Sequence, residues 1–396
     1  MRELVSPTVG FSGRGHLYTE EEIAVVAAVM RETDALTQGR HQVDFERAFA
    51  AFSGAEHPFA VATCSAALDL AAMTLQLAPG DEVIAPAHTY VATVLPFARH
   101  GARVRWADID ADTRLISAAT IAPLLSERTR AIIVVHLYGL TCDMDPILAL
   151  AHAQGIPVIE DCAQALGACY RGKMVGTMGA FGCYSFHSHK NMTTLGEGGM
   201  LTVQSPDLAQ AMPGLRHNGH RPFGHDRPHY WTPAMVDVDF PLAGVWPQNH
   251  CLGEVQCALG AKLLDRLPAM NALRRQRASR FINALNDFPE LSFQAVPVDC
   301  QHVWHLLAAR YDGAAGRDAL LEKLAFEHGV QGVVQYYPLY RYPLFQRAGM
   351  GAADCPHTDA YYDRMISLPF QHWITEDALD YMLAALRSAL DALRRG

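Results

Sequence analysis

The chain has 396 residues, half of them hydrophobic, and its 32 basic and 41 acidic side chains give a net charge of −9. This length favours two domains of a soluble protein, and the acidic balance argues against binding to nucleic acid or to an anionic membrane. The N-terminus has no apolar leader, the charge-poor stretch at 83–98 is too short to span a membrane, and the nine cysteines form no CxxC pair. We therefore expect a cytoplasmic protein.

The first part of the chain predicts two helices followed by a parallel sheet. Thr19 and Glu22 have the spacing of a capping box, which indicates a helix start. Phe45 and Phe49 recur at helical spacing in a second helix that ends at Ser53-Gly54. From about residue 58, short β-rich runs alternate with helical stretches. This order is typical of repeated βαβ units and predicts a mostly parallel sheet with helices on both faces.

The last third of the chain has a different pattern. A long helical stretch reaches about residue 288, β-rich runs follow, and an amphipathic helix after Thr375 ends the chain. We therefore predict an α/β protein with a large domain at 1–250, which includes the N-terminal helix, and a smaller α+β domain at 251–396.

The stretch from Val158 to Met200 carries four chemically distinct polar groups near the ends of apolar strands: the side chains of Asp161, Gln164, Ser185 and Lys190. Parallel sheets bind ligands beyond the carboxyl ends of their strands. Pyridoxal phosphate (PLP) needs an amine for its Schiff base, an acid partner for its ring nitrogen, and donors for its phosphate. Because a buried carboxylate needs a cationic partner, Asp161 suits the protonated ring nitrogen. Lys190 suits the Schiff base and, once released, the transfer of a proton.

Two further segments extend this PLP site. Ser65 opens a helix directly after a strand, where free N–H groups and the helix dipole favour an anion. Tyr90 also follows a strand and is placed to stack on the cofactor ring. Taken singly, each of these residues has an ordinary structural explanation in packing, helix capping or solvent exposure.

Several motifs together resemble the DegT/DnrJ/EryC1/StrS aminotransferases, which are PLP enzymes of fold type I that aminate keto-sugars. They are CSAALDLA at 64–71, APAHTYVATV at 85–94, EDCAQALGA at 160–168, CYSFHSHKNMTTLGEGGM at 183–200 and NHCLGEVQCALGAKLLDRL at 249–267. The resemblance implies a mostly parallel seven-stranded sheet between helices in the large domain. It also implies a homodimer with shared active sites, and glutamate or glutamine as the amino donor.

The resemblance also assigns a role to each site residue. It implies that Lys190 carries the cofactor as an aldimine and transfers the proton, and that Asp161 binds the ring nitrogen. The remaining cofactor contacts that it implies are Tyr90 for stacking, Gln164 for the ring oxygen, Ser65, Ala66 and Ser185 for the phosphate, and Asn249, which reaches the phosphate in the partner subunit.

Four departures from the family pattern concern the amino acceptor more than the cofactor. Cys251 stands where the family usually has an arginine, and Leu195 is an extra residue between Lys190 and the GEGG turn. Tyrosines replace both histidines of the family's HYxPxH-like stretch, at 336–340. The LPxHP-like segment reads LPFQ at 368–371.

Other functions stay open as alternatives. A PLP- or pyridoxamine-dependent sugar dehydratase is one, although dehydratases that resemble this family replace the lysine with histidine. An aminobenzoate-type synthase of the same fold would keep the same cofactor residues. A silent sensor or scaffold would ordinarily have lost one of Lys190, Asp161 or Gln164. We predict no metal site, because the histidines at 187, 189, 217, 220, 225 and 229 lack the spacing of a closed metal site.

Overall fold

A computed structural model describes residues 7–12, 16–221 and 237–395 of the chain. The α-helices in this part are Glu20–Glu32 (α1), Arg40–Ser53 (α2), Cys64–Thr74 (α3), Leu95–Arg99 (α4), Ala118–Ile121 (α5), Met144–Ala153 (α6), Pro206–Arg216 (α7), Glu254–Leu264 (α8), Leu267–Asn283 (α9), Gly316–His328 (α10), Pro343–Arg347 (α11), Pro356–Tyr362 (α12) and Glu376–Arg395 (α13). Short 3-10 turns lie at Val91–Thr93, Ala122–Leu124, Leu137–Gly139 and Leu339–Arg341.

The strands of the same part are Pro58–Val61 (β1), Glu82–Pro86 (β2), Arg103–Ala107 (β3), Thr129–Val135 (β4), Val158–Asp161 (β5), Cys169–Tyr170 (β6), Lys173–Met174 (β7), Phe181–Ser185 (β8), Gly199–Val203 (β9), His220–Arg221 (β10), Asp237–Val238 (β11), Leu291–Phe293 (β12), Cys300–Gln301 (β13), Leu307–Tyr311 (β14) and Met365–Leu368 (β15). None of the helices in the described ranges combines the length and the apolar character that crossing a membrane would require.

The two N-terminal helices form for the reasons that the sequence indicates. At the start of α1, the Thr19 hydroxyl accepts the Glu22 N–H, and the Glu22 carboxylate accepts the Thr19 N–H at 2.8 Å, so the predicted capping box is confirmed. Helix α2 ends at Gly54, whose φ of 77° is the left-handed conformation of a C-terminal cap. The buried ring of Phe45 lies directly against Gly260 of α8, where any added Cβ would be only 2.6 Å from the ring.

Seven strands form the main sheet in the order β1-β9-β8-β5-β4-β2-β3. Only β9 runs against the others, so the predicted mostly parallel seven-stranded sheet is confirmed. Alternate residues of β4 enter separate cores on the two faces: Ile133 packs with α3, whereas Ile132 packs with α6. Burial on both faces explains why these strands are nearly continuous apolar runs.

A second, antiparallel sheet of order β12-β14-β15 lies in the C-terminal third. Helices α9, α10 and α13 cover it. The predicted apolar face of α13 is confirmed by the burial of Leu379, Met382, Leu386 and Leu390, and Leu383 is partly buried against the same core. Helix α8 packs on α1 and α2, and Val9 from the N-terminal segment joins the core of the second sheet. The domain boundary near residue 250 stays a prediction.

Candidate active site

A cleft of about 680 Å³ opens at the carboxyl ends of the parallel strands. Six of the eight predicted site residues line it: Ser65, Tyr90, Asp161, Gln164, Ser185 and Lys190. Residues from the C-terminal third, including Arg274, His305, Tyr336 and Phe370, form the opposite side. The cleft therefore lies between the main sheet and the segments that follow α8.

Two predicted residues are not among those that line the cleft. The Ala66 N–H donates to the hydroxyl of Thr63, the N-cap of α3, at 3.0 Å. The side-chain oxygen of Asn249 accepts the Cys251 N–H at 3.1 Å. The predicted role of Asn249 requires a second subunit, so its absence from the cleft of one chain is compatible with that prediction.

Lys190 lies in the loop after β8. The chain has four lysines, all within the described ranges, and Lys190 alone among them lines the cleft. Burial lowers the pKa of its amine, while the nearby Asp161 carboxylate acts in the opposite direction. A lowered pKa makes the neutral, nucleophilic amine more available at neutral pH.

Asp161 is the last residue of β5 and is almost fully buried. One carboxylate oxygen accepts the Thr93 hydroxyl at 2.7 Å, and the other accepts the Ala163 N–H at 3.0 Å. Burial raises the pKa of Asp161, whereas these two donors and the charge of Lys190 lower it. The site thus holds an oriented carboxylate whose negative charge would complement the positive charge of a protonated PLP ring nitrogen.

Gln164 is oriented by a backbone group. Its side-chain oxygen accepts the Tyr138 N–H at 2.9 Å, so its NH2 group remains a donor. Tyr138 has a left-handed φ of 61°. Its hydroxyl donates to the Gln335 carbonyl at 2.8 Å, which joins the main sheet to the far side of the cleft. Sequence reasoning missed Tyr138, because only its tertiary contacts connect it with the site.

Aromatic rings form one wall of the cleft. The half-exposed Tyr90 ring is 6.0 Å from the Tyr336 ring at an interplanar angle of 61°, and Tyr336 in turn stacks on Tyr138 at 6.3 Å. Tyr336 belongs to the 336–340 stretch that departs from the family pattern, and this residue lines the cleft.

The hydroxyls of Ser65 and Ser185 lie at the N-terminal end of α3 and the end of β8. The Ser185 oxygen accepts the His187 N–H at 3.3 Å, so its own proton is available for a ligand. Two hydroxyl donors beside the positive end of an eleven-residue helix suit an anion such as a phosphate.

Glu160, which sequence reasoning also missed, organises the loop between β5 and β8. Its fully buried carboxylate accepts N–H groups of Gly176, Met178 and Gly179 at 2.7, 2.8 and 2.6 Å, and it contacts His136 Nε2 at 3.0 Å. The signal in the sequence that could have identified Glu160 was a charged residue inside the apolar run PVIED.

His136, Glu160 and Cys162 lie close enough to hold a metal ion, but the hydrogen bonds of Glu160 already use both of its carboxylate oxygens. His225 and His229 lie outside the described residues.

The model of the DegT/DnrJ/EryC1/StrS aminotransferase family matches residues 17–387. The chain belongs to this family. It is 34% identical over 375 residues to the spore coat polysaccharide biosynthesis protein SpsC of Bacillus subtilis, covering 94% of this chain and 95% of SpsC. The fold is similar to that of an aminotransferase from Psychrobacter cryohalolentis, with a TM-score of 0.87, 27% identity, and coverage of 96% and 98% of the two chains. It is also similar to the pyridoxamine form of the putative sugar aminotransferase Spr1654 from Streptococcus pneumoniae, with a TM-score of 0.85, 25% identity, and coverage of 95% and 98%.

Membership in the DegT/DnrJ/EryC1/StrS family confirms fold type I and makes the protein a PLP-dependent sugar aminotransferase by class. The cleft residues fit the cofactor chemically. The cleft offers a single amine for the reactive carbon of PLP and an oriented carboxylate for its ring nitrogen. It also offers a free amide NH2 group for the ring oxygen and two hydroxyls near a helix N-terminus for the phosphate.

Proposed function

We propose that the protein transfers an amino group from glutamate or glutamine to a keto-sugar in two successive half-reactions, as a ping-pong enzyme. The acceptor is a nucleotide-linked sugar, a sugar acid or a cyclitol ketone. The observation that carries the proposal is the pairing in one cleft of the sole cleft lysine, Lys190, with the buried carboxylate of Asp161. PLP supplies an electron sink when it is bound there.

In this proposal each residue performs a task that its contacts suit. Lys190 would hold the cofactor covalently and, once released, would move the proton of the donor's α-carbon. Asp161, oriented by Thr93 and Ala163, would keep the ring nitrogen protonated. The NH2 group of Gln164 would donate to the ring oxygen, and the Tyr90 ring would stack on the cofactor ring.

In the same proposal Ser65 and Ser185 hold the phosphate with their hydroxyls, and Ala66 does so with its N–H group, which would exchange its hydrogen bond with the Thr63 hydroxyl for one with the phosphate. Asn249 of one protomer reaches the phosphate bound by its partner, so that the working enzyme is a homodimer. The location of Asn249 outside the cleft of its own chain is compatible with this role.

A sugar acceptor is supported by the relatives, since SpsC is named for polysaccharide biosynthesis. The wide cleft, with the aromatic ring of Tyr336 on its wall, also suits a sugar ring, because such rings pack on aromatic faces. Cys251 and the stretch at 336–340 depart from the usual family pattern, so we expect substitutions there to change the acceptor specificity.

The experiment is a transamination assay on the PLP-loaded protein. Glutamate or glutamine is supplied as donor, and a nucleotide-linked keto-sugar, a keto-sugar acid and a keto-cyclitol are supplied as acceptors. We expect one acceptor class to be aminated, as detected by mass spectrometry, with stoichiometric formation of the keto acid. Lys190→Ala is the inactive control. A protein that binds PLP but consumes neither donor with any acceptor would contradict the proposal.

A further inference from the structure

Arg274 on α9 lines the cleft as a buried cation. Its Nε donates to the Trp304 carbonyl at 2.9 Å, its Nη2 donates to the His305 carbonyl at 2.8 Å, and the guanidinium lies 5.0 Å from the centre of the Phe370 ring. No carboxylate in the described ranges is in ion-pair contact with it, and burial lowers its pKa to about 9. An unpaired buried charge is costly, so a cleft that retains one is suited to an anionic ligand.

His305, which also lines the cleft, has a tautomer fixed by its neighbours. The side-chain nitrogen of Asn191 donates to Asn271 Oδ1 at 3.2 Å and to the Val303 carbonyl at 3.3 Å. A carbonyl can only accept, so the orientation of the Asn191 amide is determined, and its oxygen faces His305 Nδ1 at 3.3 Å. Nδ1 must therefore carry the proton of the ring.

His305 also stays neutral. Burial lowers its pKa well below the usual value, and the positive charges of Lys190 and Arg274 lower it further. With Nδ1 protonated and the ring neutral, Nε2 has a free lone pair and can only accept a hydrogen bond. Because Asn191 directly follows Lys190 in the chain, this acceptor is tied to the loop that carries the reactive amine.

We propose that Arg274 and His305 together bind the zwitterionic head of an α-amino acid, with the carboxylate on the guanidinium and the ammonium on His305 Nε2. The two groups are complementary to that head in charge and in hydrogen bonding, and the Arg274 contact with the His305 carbonyl holds them together. The inference rests on the proposed function, because it assigns the amino donor of that reaction to one side of the cleft.

The first test needs no substitution. Borohydride treatment of the PLP-loaded protein fixes the cofactor to its lysine, so an amino acid can then bind only non-covalently. Calorimetry compares L-glutamate and L-glutamine with 4-aminobutyrate, which lacks the α-carboxylate, and with glutarate, which lacks the ammonium. We expect the better amino acid to bind roughly 10- to 100-fold more tightly than either partial ligand, as the loss of a charged hydrogen bond implies. Equal affinities would overturn the proposal.

The second test uses variants of the same reduced protein. Arg274→Gln should remove the advantage of L-glutamate over 4-aminobutyrate, whereas Arg275→Gln, at the next position of α9 and outside the cleft lining, should keep it. His305→Phe should remove the advantage over glutarate. Unchanged ligand preference in folded Arg274→Gln would show that the guanidinium serves only to hold residues 304–305. If that variant does not fold, equal affinities of the complete and partial ligands for the unaltered protein would still overturn the proposal.

The two proposals fail in different ways. Absence of PLP uptake, or of any aminotransfer, would sink the proposed function itself. Normal PLP uptake and aminotransfer, combined with amino-acid binding that ignores the α-carboxylate, would sink only the subsite. Two-bond proton–nitrogen spectra of histidine-labelled protein provide a separate check: the signal that is lost in His305→Phe must report an unprotonated Nε2 at neutral pH.

Discussion

Replacing Thr93 with valine removes a single hydrogen bond from the carboxylate that is central to the proposed chemistry. The Thr93 hydroxyl donates its only proton to Asp161 at 2.7 Å, and the Thr89 hydroxyl lies 3.2 Å behind it. Valine has nearly the same shape as threonine, so the change leaves no cavity. Asp161 would keep only the Ala163 N–H, and the Thr89 hydroxyl would lose its partner.

The magnitude follows from the burial and charge of the acceptor. A hydrogen bond to a charged group contributes about 1.5–3 kcal/mol, which corresponds to a rate decrease of roughly 10- to 100-fold if the carboxylate acts in the transition state. Because the Thr93 donor lowers the pKa of Asp161, its loss raises that pKa. The acidic limb of the pH–rate profile should therefore move to higher pH.

The assay is the rate of the half-reaction with the amino donor as a function of pH, measured on Thr93→Val and on the matched control Thr93→Ser. Serine keeps the hydroxyl, so its profile should stay close to that of the unaltered protein. Thermal unfolding of both variants separates a catalytic effect from a folding defect. Full activity and an unchanged acidic limb in folded Thr93→Val would refute this account of Asp161.

Three further predictions concern the loop, the turn and the subunit contact. Glu160→Gln places an amide NH2 group opposite backbone N–H donors. We therefore expect urea unfolding to show that the free energy of unfolding falls by about 2–4 kcal/mol, and an unchanged free energy would contradict the assigned contacts. Gly139→Ala adds a Cβ within 2.9 Å of Val303 at a φ of 103°. The strain of about 1–3 kcal/mol should lower the melting temperature of the variant by several degrees, and an unaltered melting curve would exclude this strain. When inactive Lys190→Ala and Asn249→Ala subunits are mixed, about half of the dimers should be hybrids, and each hybrid should have one intact site of its two. The mixture should therefore recover about a quarter of full activity, whereas no recovery would count against a shared site.

The sheet and the reactive pair could be predicted from sequence because they depend on local order. Alternating strands and helices define a parallel sheet, and such a sheet gathers the ends of its strands at one edge. Asp161 ends β5, and Lys190 lies in the loop after β8, the parallel neighbour of β5 in the observed sheet, so both residues lie at the same edge of the sheet. The capping box of α1 and the glycine end of α2 are equally local signals.

The remaining contacts depend on residues that are far apart in the chain. Arg274 and His305 reach the cleft from α9 and from the loop before β14, and no spacing rule connects them with residue 190. Thr93 lies within a recognised motif, but its contact with Asp161 joins positions 68 residues apart. The tautomer of His305 depends on a chain of hydrogen bonds through Asn191 and Val303, which only three-dimensional placement defines.

The most direct measurement locates the lysine that carries PLP. The purified protein is incubated with PLP, reduced with borohydride and digested, and the modified peptide is identified by mass spectrometry. The chain has four lysines, at positions 173, 190, 262 and 323, so the outcome is unambiguous. We expect modification of the peptide that contains Lys190, and loss of this modification in Lys190→Ala. Modification of another lysine at equal yield, or no modification at all, would contradict it.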